Sequence, residues 1–220
     1  MVVLVPLCVG LLRSASAHPF GQDFWALRTE LRMGVSGPEI VVMGEVPIMV
    51  VLAEFRRFYK HLERPGVEED LAYRERKLDE LRQHLGLRAN DVPVRGSWTA
   101  ADSPKNGLAG EGSFLYMLQF EPAEPWSLDG ERLEIEVVNG AYPGLPLWLS
   151  AHVGVAEGAG WAATSSTARD LLGDGADLVD VDKEPDGWTT DEALRTVRAV
   201  FERVPAAPVQ EPSRGGCLGW

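Results

Sequence analysis

Four histidines, one cysteine outside the first ten residues and one acidic run are the groups in this 220-residue chain that could hold a metal ion. His61 and His84 fall at the ends of two segments with helical periodicity. At ~1.5 Å rise per residue they stand roughly 25 Å apart, too far to share an ion. They read as solvated helix-end residues, where the C-terminal dipole favours positive charge. His18 and His152 are the sharper pair. His18 follows Ala15-Ser16-Ala17, a small-x-small sequence of the kind a signal peptidase accepts. Cleavage there would give His18 a free amine, and that amine with its own imidazole forms a chelate suited to copper(II) or nickel(II), a divalent transition metal. One more imidazole completes such a site, and His152, in Ser150-Ala151-His152-Val153, is the candidate from a strand. The alternative is a mere processing feature at His18 and a solvent-facing strand residue at His152.

The acidic run offers a second cation site to weigh. Asp182, Glu184, Asp186 and Gly187 occupy positions one, three, five and six of a calcium loop, but position twelve is Ala193 and Glu192 stands at eleven. The bidentate ligand is displaced by one residue, so a solvated acidic connector is the simpler reading of 174–191. Gly107, Gly110 and Gly112 precede a strand rather than a helix, which suits a loop better than a phosphate cradle. The sequence holds no Walker loop, no His-Glu-x-x-His and no Gly-x-Ser-x-Gly elbow. The expectation is a non-catalytic chain with no resident cofactor.

Charge and composition narrow the partners. Lys and Arg number 21 against 33 Asp and Glu, a formal net charge of −12 with a pI near 4.8. That field repels polyanions, so nucleic acid is excluded as a natural partner. With 45% hydrophobic and 25% charged residues, the chain can bury a core without disulfides or metal staples. Disordered, collagen-like and coiled-coil classes do not fit.

The elements that must position these groups begin after the leader. Met1 to Ala17 reads as a secretory signal, with an apolar run from Val2 to Leu12, and is shorter than the ~20 apolar residues of a spanning helix. An exported product, periplasmic or extracellular, is expected. Cys8 would leave with the signal, so Cys217, in a Gly-rich end, would have no internal partner. Trp25, Leu27, Thr29, Leu31 and Met33 alternate with polar residues and predict a strand; Gly34 to Pro38 supplies a turn, and Ile40, Val42 and Val46 predict its hairpin mate. From Pro47 the period lengthens to three and four: Ile48, Val51, Leu52, Phe55, Phe58 and Leu62 predict one amphipathic helix, and Leu71, Leu78, Leu81 and Leu85 a second from about Val67. Leu87, Val92 and Val94 around Asn90-Asp91 predict a short strand pair. Strands return at Phe114 to Phe120, Leu133 to Val137 and Leu145 to Val155. A last helix is predicted from Thr190 to about Val204, with Thr189 and Glu192 as a capping box.

Short strands at hairpin spacing without a βαβ rhythm predict a mainly β fold, an Ig-like antiparallel β-sandwich with an inserted helical hairpin and a C-terminal helix. The expected organisation is a signal over 1–17, one sandwich domain over 18–204 with the helical insert at 47–85, and a disordered tail over 205–220. His18-Pro19-Phe20-Gly21 after a signal, Gly44-Glu45-Val46-Pro47 closing a second strand, the helical insert, and Asn139-Gly140-Ala141-Tyr142-Pro143-Gly144 before a long strand resemble the extracytoplasmic N-terminal domain of HupE/UreJ-like and NicO-like nickel/cobalt transport proteins. The resemblance covers roughly Ala17 to Leu172 and implies an exported accessory domain that docks on or modulates a membrane transporter. The histidine-bearing membrane helices of that family are absent from this sequence, so transport is carried over to no residue. The second expectation is a periplasmic copper- or nickel-binding protein using His18.

Overall fold

A computed structural model describes residues 25–62, 66–100, 107–109, 113–172 and 188–205. β1 (Trp25–Gly34) and β2 (Gly37–Pro47) form the predicted hairpin, with Leu27, Thr29, Leu31 and Met33 buried on one strand and Ile40, Val42 and Val46 on the other. The turn closes through Gly37, whose φ of 129° lies where side chains are rarely found; a Cβ there would meet the Trp126 ring at 2.4 Å. Two helices follow, α1 (Ile48–Phe58) and α2 (Val67–Arg82). The second ends before Leu85, which opens β3 (Leu85–Ala89). β3 turns back to β4 (Val92–Pro93) through Asn90 and Asp91, both with positive φ, the conformation a two-residue type I′ hairpin requires.

β5 (Gly96–Ala100), β6 (Gly107–Ala109), β7 (Ser113–Pro122), β8 (Arg132–Asn139), β9 (Leu147–Val155) and β10 (Trp161–Ser166) continue the chain, followed by the short α3 (Thr167–Leu172), a 3₁₀ turn at Glu192–Arg195 and β11 (Thr196–Arg203). Among the described residues the strands form two sheets. One runs β5-β7-β2-β1-β9 with β6 also on β7; the other runs β10-β11-β8-β3-β4. The molecule is mainly β and sandwich-like, with its core between the sheets: Leu31, Ile40, Val42, Leu118 and Leu149 from one, Ile135, Val137, Val197 and Phe201 from the other. The sandwich departs from a purely antiparallel pattern at one place, where β1 and β9 pair in parallel from Trp25–Leu147 to Met33–Val155.

The predicted C-terminal helix is corrected. Leu194, Val197, Val200, Phe201 and Val204 do recur at three- and four-residue steps, but Thr196–Arg203 is a strand hydrogen-bonded on both sides, to β8 and to β10. An open position between two strands satisfies its backbone on both edges, and Val197, Ala199 and Phe201 are buried at period two. Arg198, across from Glu136 in register, is ion-paired to it and to Glu134. The capping box is replaced as well. Asp191 accepts from the Ala193 N–H, Thr189 bridges the Leu149 backbone of β9, and Glu192 is ion-paired to Arg195.

Candidate functional site

The helical hairpin has an inner and an outer face with opposite chemistry. Its seat on the sheet is prepared by Gly44 of β2, where a Cβ would lie 3.0 Å from Leu81 and 3.2 Å from the Tyr142 hydroxyl. Leu81 and Leu78 of α2 and Val51 of α1 are buried there, and Phe55 packs against them with its ring centroid 5.5 Å from that of Tyr73, edge to face.

Beneath this apolar contact lies a polar network. Lys77 is a buried lysine, its side chain only 3% exposed. Its ammonium donates to Glu54 Oε2 at 2.5 Å and to Glu80 Oε2 at 2.9 Å, and the Tyr73 hydroxyl donates to the same Glu54 oxygen at 2.7 Å. Glu54 comes from α1 and the other three from α2, so the network ties the two helices together. Burial pushes the Tyr73 hydroxyl far above its ordinary pKa, and the Glu54 carboxylate it donates to adds to the shift. Tyr116 and Tyr142 are also pushed up, again chiefly by burial. Tyr73 and the twice-paired lysine form a structural clasp, with Tyr116 and Tyr142 buried beside the hairpin seat. The lysine is engaged by one carboxylate from each helix.

On the outer face, 100° per residue brings Met49, Leu52, Ala53, Arg56, Arg57 and Lys60 to one side of α1 and the turn that follows it, and all six are exposed. Met49 is 64% exposed and Leu52 40%. Arg56, Arg57 and Lys60 have no ion-pair partner among the described residues. The only acidic residue between Ile48 and Leu62, Glu54, is turned inward to Lys77 and Tyr73. α2 behaves differently: Asp70 pairs with Arg74 at 2.9 Å, Glu75 and Asp79 with Arg82, and Arg76 lies 4.1 Å from the centroid of the Phe58 ring. The predicted apolar stripe of α1 is thus only partly buried. Five consecutive apolar residues, Ile48 to Leu52, put Met49 and Leu52 outside by necessity.

The sequence-predicted site residues are not brought together. His152 lies on β9 opposite Glu30 of β1, half-buried, on the face of the sheet away from its buried neighbours Ala151 and Val153. His18, the signal segment, Cys217 and Asp182, Glu184, Asp186 and Gly187 lie outside the described residues. Among the described residues no group of three or more His, Cys, Asp or Glu side chains converges on a point that could hold a metal. His61 and His84 are both exposed. An open cleft of about 620 Å³ at one end of the sandwich is lined by Trp126, Trp161, Leu128, Val92, Arg95 and Arg132. Trp161 fills core on its other side, and Arg132 is already paired with Glu134 at 3.0 Å.

No family model matches the chain, and no curated protein matches it significantly. No described helix is long and apolar enough to cross a membrane.

Proposed function

We propose that this chain is an exported, non-catalytic β-sandwich module that docks on a membrane partner through the outer face of α1. The observation that carries the reading is the pairing of exposed Met49 and Leu52 with Arg56, Arg57 and Lys60, unpartnered among the described residues, on one side of a helix that the inner clasp holds firmly. Contiguous exposed apolar residues at a rigid position characterise surfaces made to be covered. The signal-like Met1 to Ala17 supports delivery outside the cytoplasm, and the resemblance around His18-Pro19-Phe20-Gly21 and Asn139 to Gly144 makes a nickel/cobalt transporter the partner class to test first.

The test is site-specific crosslinking in the producing cell. A photoreactive residue at Met49 or Leu52 is expected to yield a conjugate with an integral membrane protein in the membrane fraction, and the same residue at Val92, exposed on the far sheet, is not. Equal labelling from both positions, or none from either, overturns the docking reading.

A further inference from the structure

We infer that the outer face of α1 rests directly on an anionic lipid surface, with Met49 and Leu52 entering the headgroup boundary and Arg56, Arg57 and Lys60 meeting lipid phosphates. The inference adds a lipid contact to the docking reading and takes from that reading only the choice of face, so it survives the loss of the protein partner. Three features of that face select a lipid surface over another occupant.

The first is charge. Residues 48–62 carry Arg56, Arg57 and Lys60 against Glu54 alone, in a chain whose acids outnumber its bases by twelve. With Glu54 turned inward, the exposed side of α1 is positive. Of the acids of α2, Asp70 is paired with Arg74 and both Glu75 and Asp79 with Arg82. At physiological salt a Debye length of about 8 Å screens the more distant acids of the sandwich, so a contacting surface senses the local positive patch rather than the net charge.

The second is order along the helix. Met49, Leu52 and Ala53 occupy the first half and Arg56, Arg57 and Lys60 the second half and the turn beyond it, a spread of about 16 Å from Met49 to Lys60 at ~1.5 Å per residue. Apolar tips at one end can insert while the long cationic side chains at the other reach to phosphate depth. The third is shape. The six residues lie on the exposed, convex side of a helix, and the described cleft lies elsewhere, among Val92, Trp126 and Trp161. A convex basic face fits a flat, fluid, negatively charged surface better than it fits an extended acidic segment.

The experiment is flotation of the purified chain with protein-free vesicles, one set of phosphatidylcholine alone and one of phosphatidylcholine and phosphatidylglycerol in equal parts. Binding to the anionic set and not to the neutral set is expected, and added salt should release it. Each basic residue near such a surface contributes about fivefold in partitioning, so Arg56→Gln, Arg57→Gln and Lys60→Gln together should weaken it about a hundredfold. Met49→Ser with Leu52→Ser should weaken it independently of salt. Circular dichroism of each variant checks that the fold is kept, and the wild-type comparison of the two vesicle sets stands whatever the variants do. Equal binding to both sets, no binding to either, or an anionic affinity untouched by the triple variant overturns the lipid contact. If vesicles fail while Met49 still crosslinks to a membrane protein, the docking reading stands and the face belongs to an acidic protein surface; if vesicles succeed without a protein crosslink, the lipid contact stands and the protein partner falls.

Discussion

The two faces of the helical hairpin solve the same charge problem in opposite ways. On the inner face every ionised group is matched: Lys77 has Glu54 and Glu80, and Glu54 also accepts from Tyr73. On the outer face three cations have no counter-ion among the described residues and stand beside two exposed apolar side chains. The difference teaches where stability ends and interaction begins, and it can be broken or sharpened one residue at a time.

The largest effect is expected from the packing that seats the hairpin. Leu81→Ala removes a fully buried side chain resting on Gly44 and should lower unfolding free energy by about 3 kcal/mol, with Leu78→Ala similar, both within the 2 to 5 kcal/mol usual for such truncations. Leu52→Ala, on the outer face, should change it by less than ~0.5 kcal/mol. Denaturant melts of these variants make the measurement. Near-equal losses at positions 81 and 52 would mean that the two faces are not distinct.

The clasp comes next. Lys77→Met leaves Glu54 and Glu80 facing each other without their cation, and the loss should be about 2 kcal/mol. Breaking a fully buried pair costs about 3 to 5 kcal/mol, but Glu54 and Glu80 retain 32% and 42% exposure and recover part of their hydration. Arg57→Gln on the outer face should stay within about 0.5 kcal/mol. The same clasp predicts alkaline behaviour. Tyr73, Tyr116 and Tyr142 have hydroxyls raised above the ordinary value of 10.0, so the folded state keeps protons that the unfolded chain surrenders. Their contribution is therefore fully present below pH 10 and is lost as pH climbs above it. Spectrophotometric titration should show three of the four tyrosines ionising only together with unfolding; smooth, reversible ionisation of all four in the folded protein would refute the burial of the clasp.

Much of this fold was legible in residue pattern, and the misses have physical causes. Period-two alternation marked β1, β2, β7, β8 and β9, and the Asn90-Asp91 turn was readable because a two-residue hairpin demands positive φ. Periodicity misread 196–203 because Val197, Val200, Phe201 and Val204 satisfy the helical spacing while Val197, Ala199 and Phe201 satisfy the strand one, and the slot between β8 and β10 decided the matter. β5, β6 and β10 were missed, being short and weakly alternating. The candidate surface was hidden for two reasons. Ile48 to Leu52 are all apolar, so their types alone do not say which of them face out, and Lys77 on a charged helix looks like any solvated lysine until a partner from α1 closes over it.

The smallest expected effect concerns Tyr142, which is held at a φ of 54° in the Asn139-to-Gly144 turn and packs its ring 4.6 Å from that of Trp25. Its hydroxyl is buried against Gly44 and Leu81 and has no hydrogen-bond partner among the described residues. The ring therefore stabilises the hairpin seat by packing, while the hydroxyl is desolvated without return. Tyr142→Phe keeps the ring and removes the hydroxyl, so it should leave stability unchanged or raise it by up to about 1 kcal/mol. Tyr73→Phe, which deletes a donor to the Glu54 carboxylate, should instead lower it by about 1 kcal/mol. A matched pair of melts reads the difference: if Tyr142→Phe costs as much as Tyr73→Phe, the Tyr142 hydroxyl is a working member of the clasp, and the polar network reaches from α1 through to the 139–144 turn.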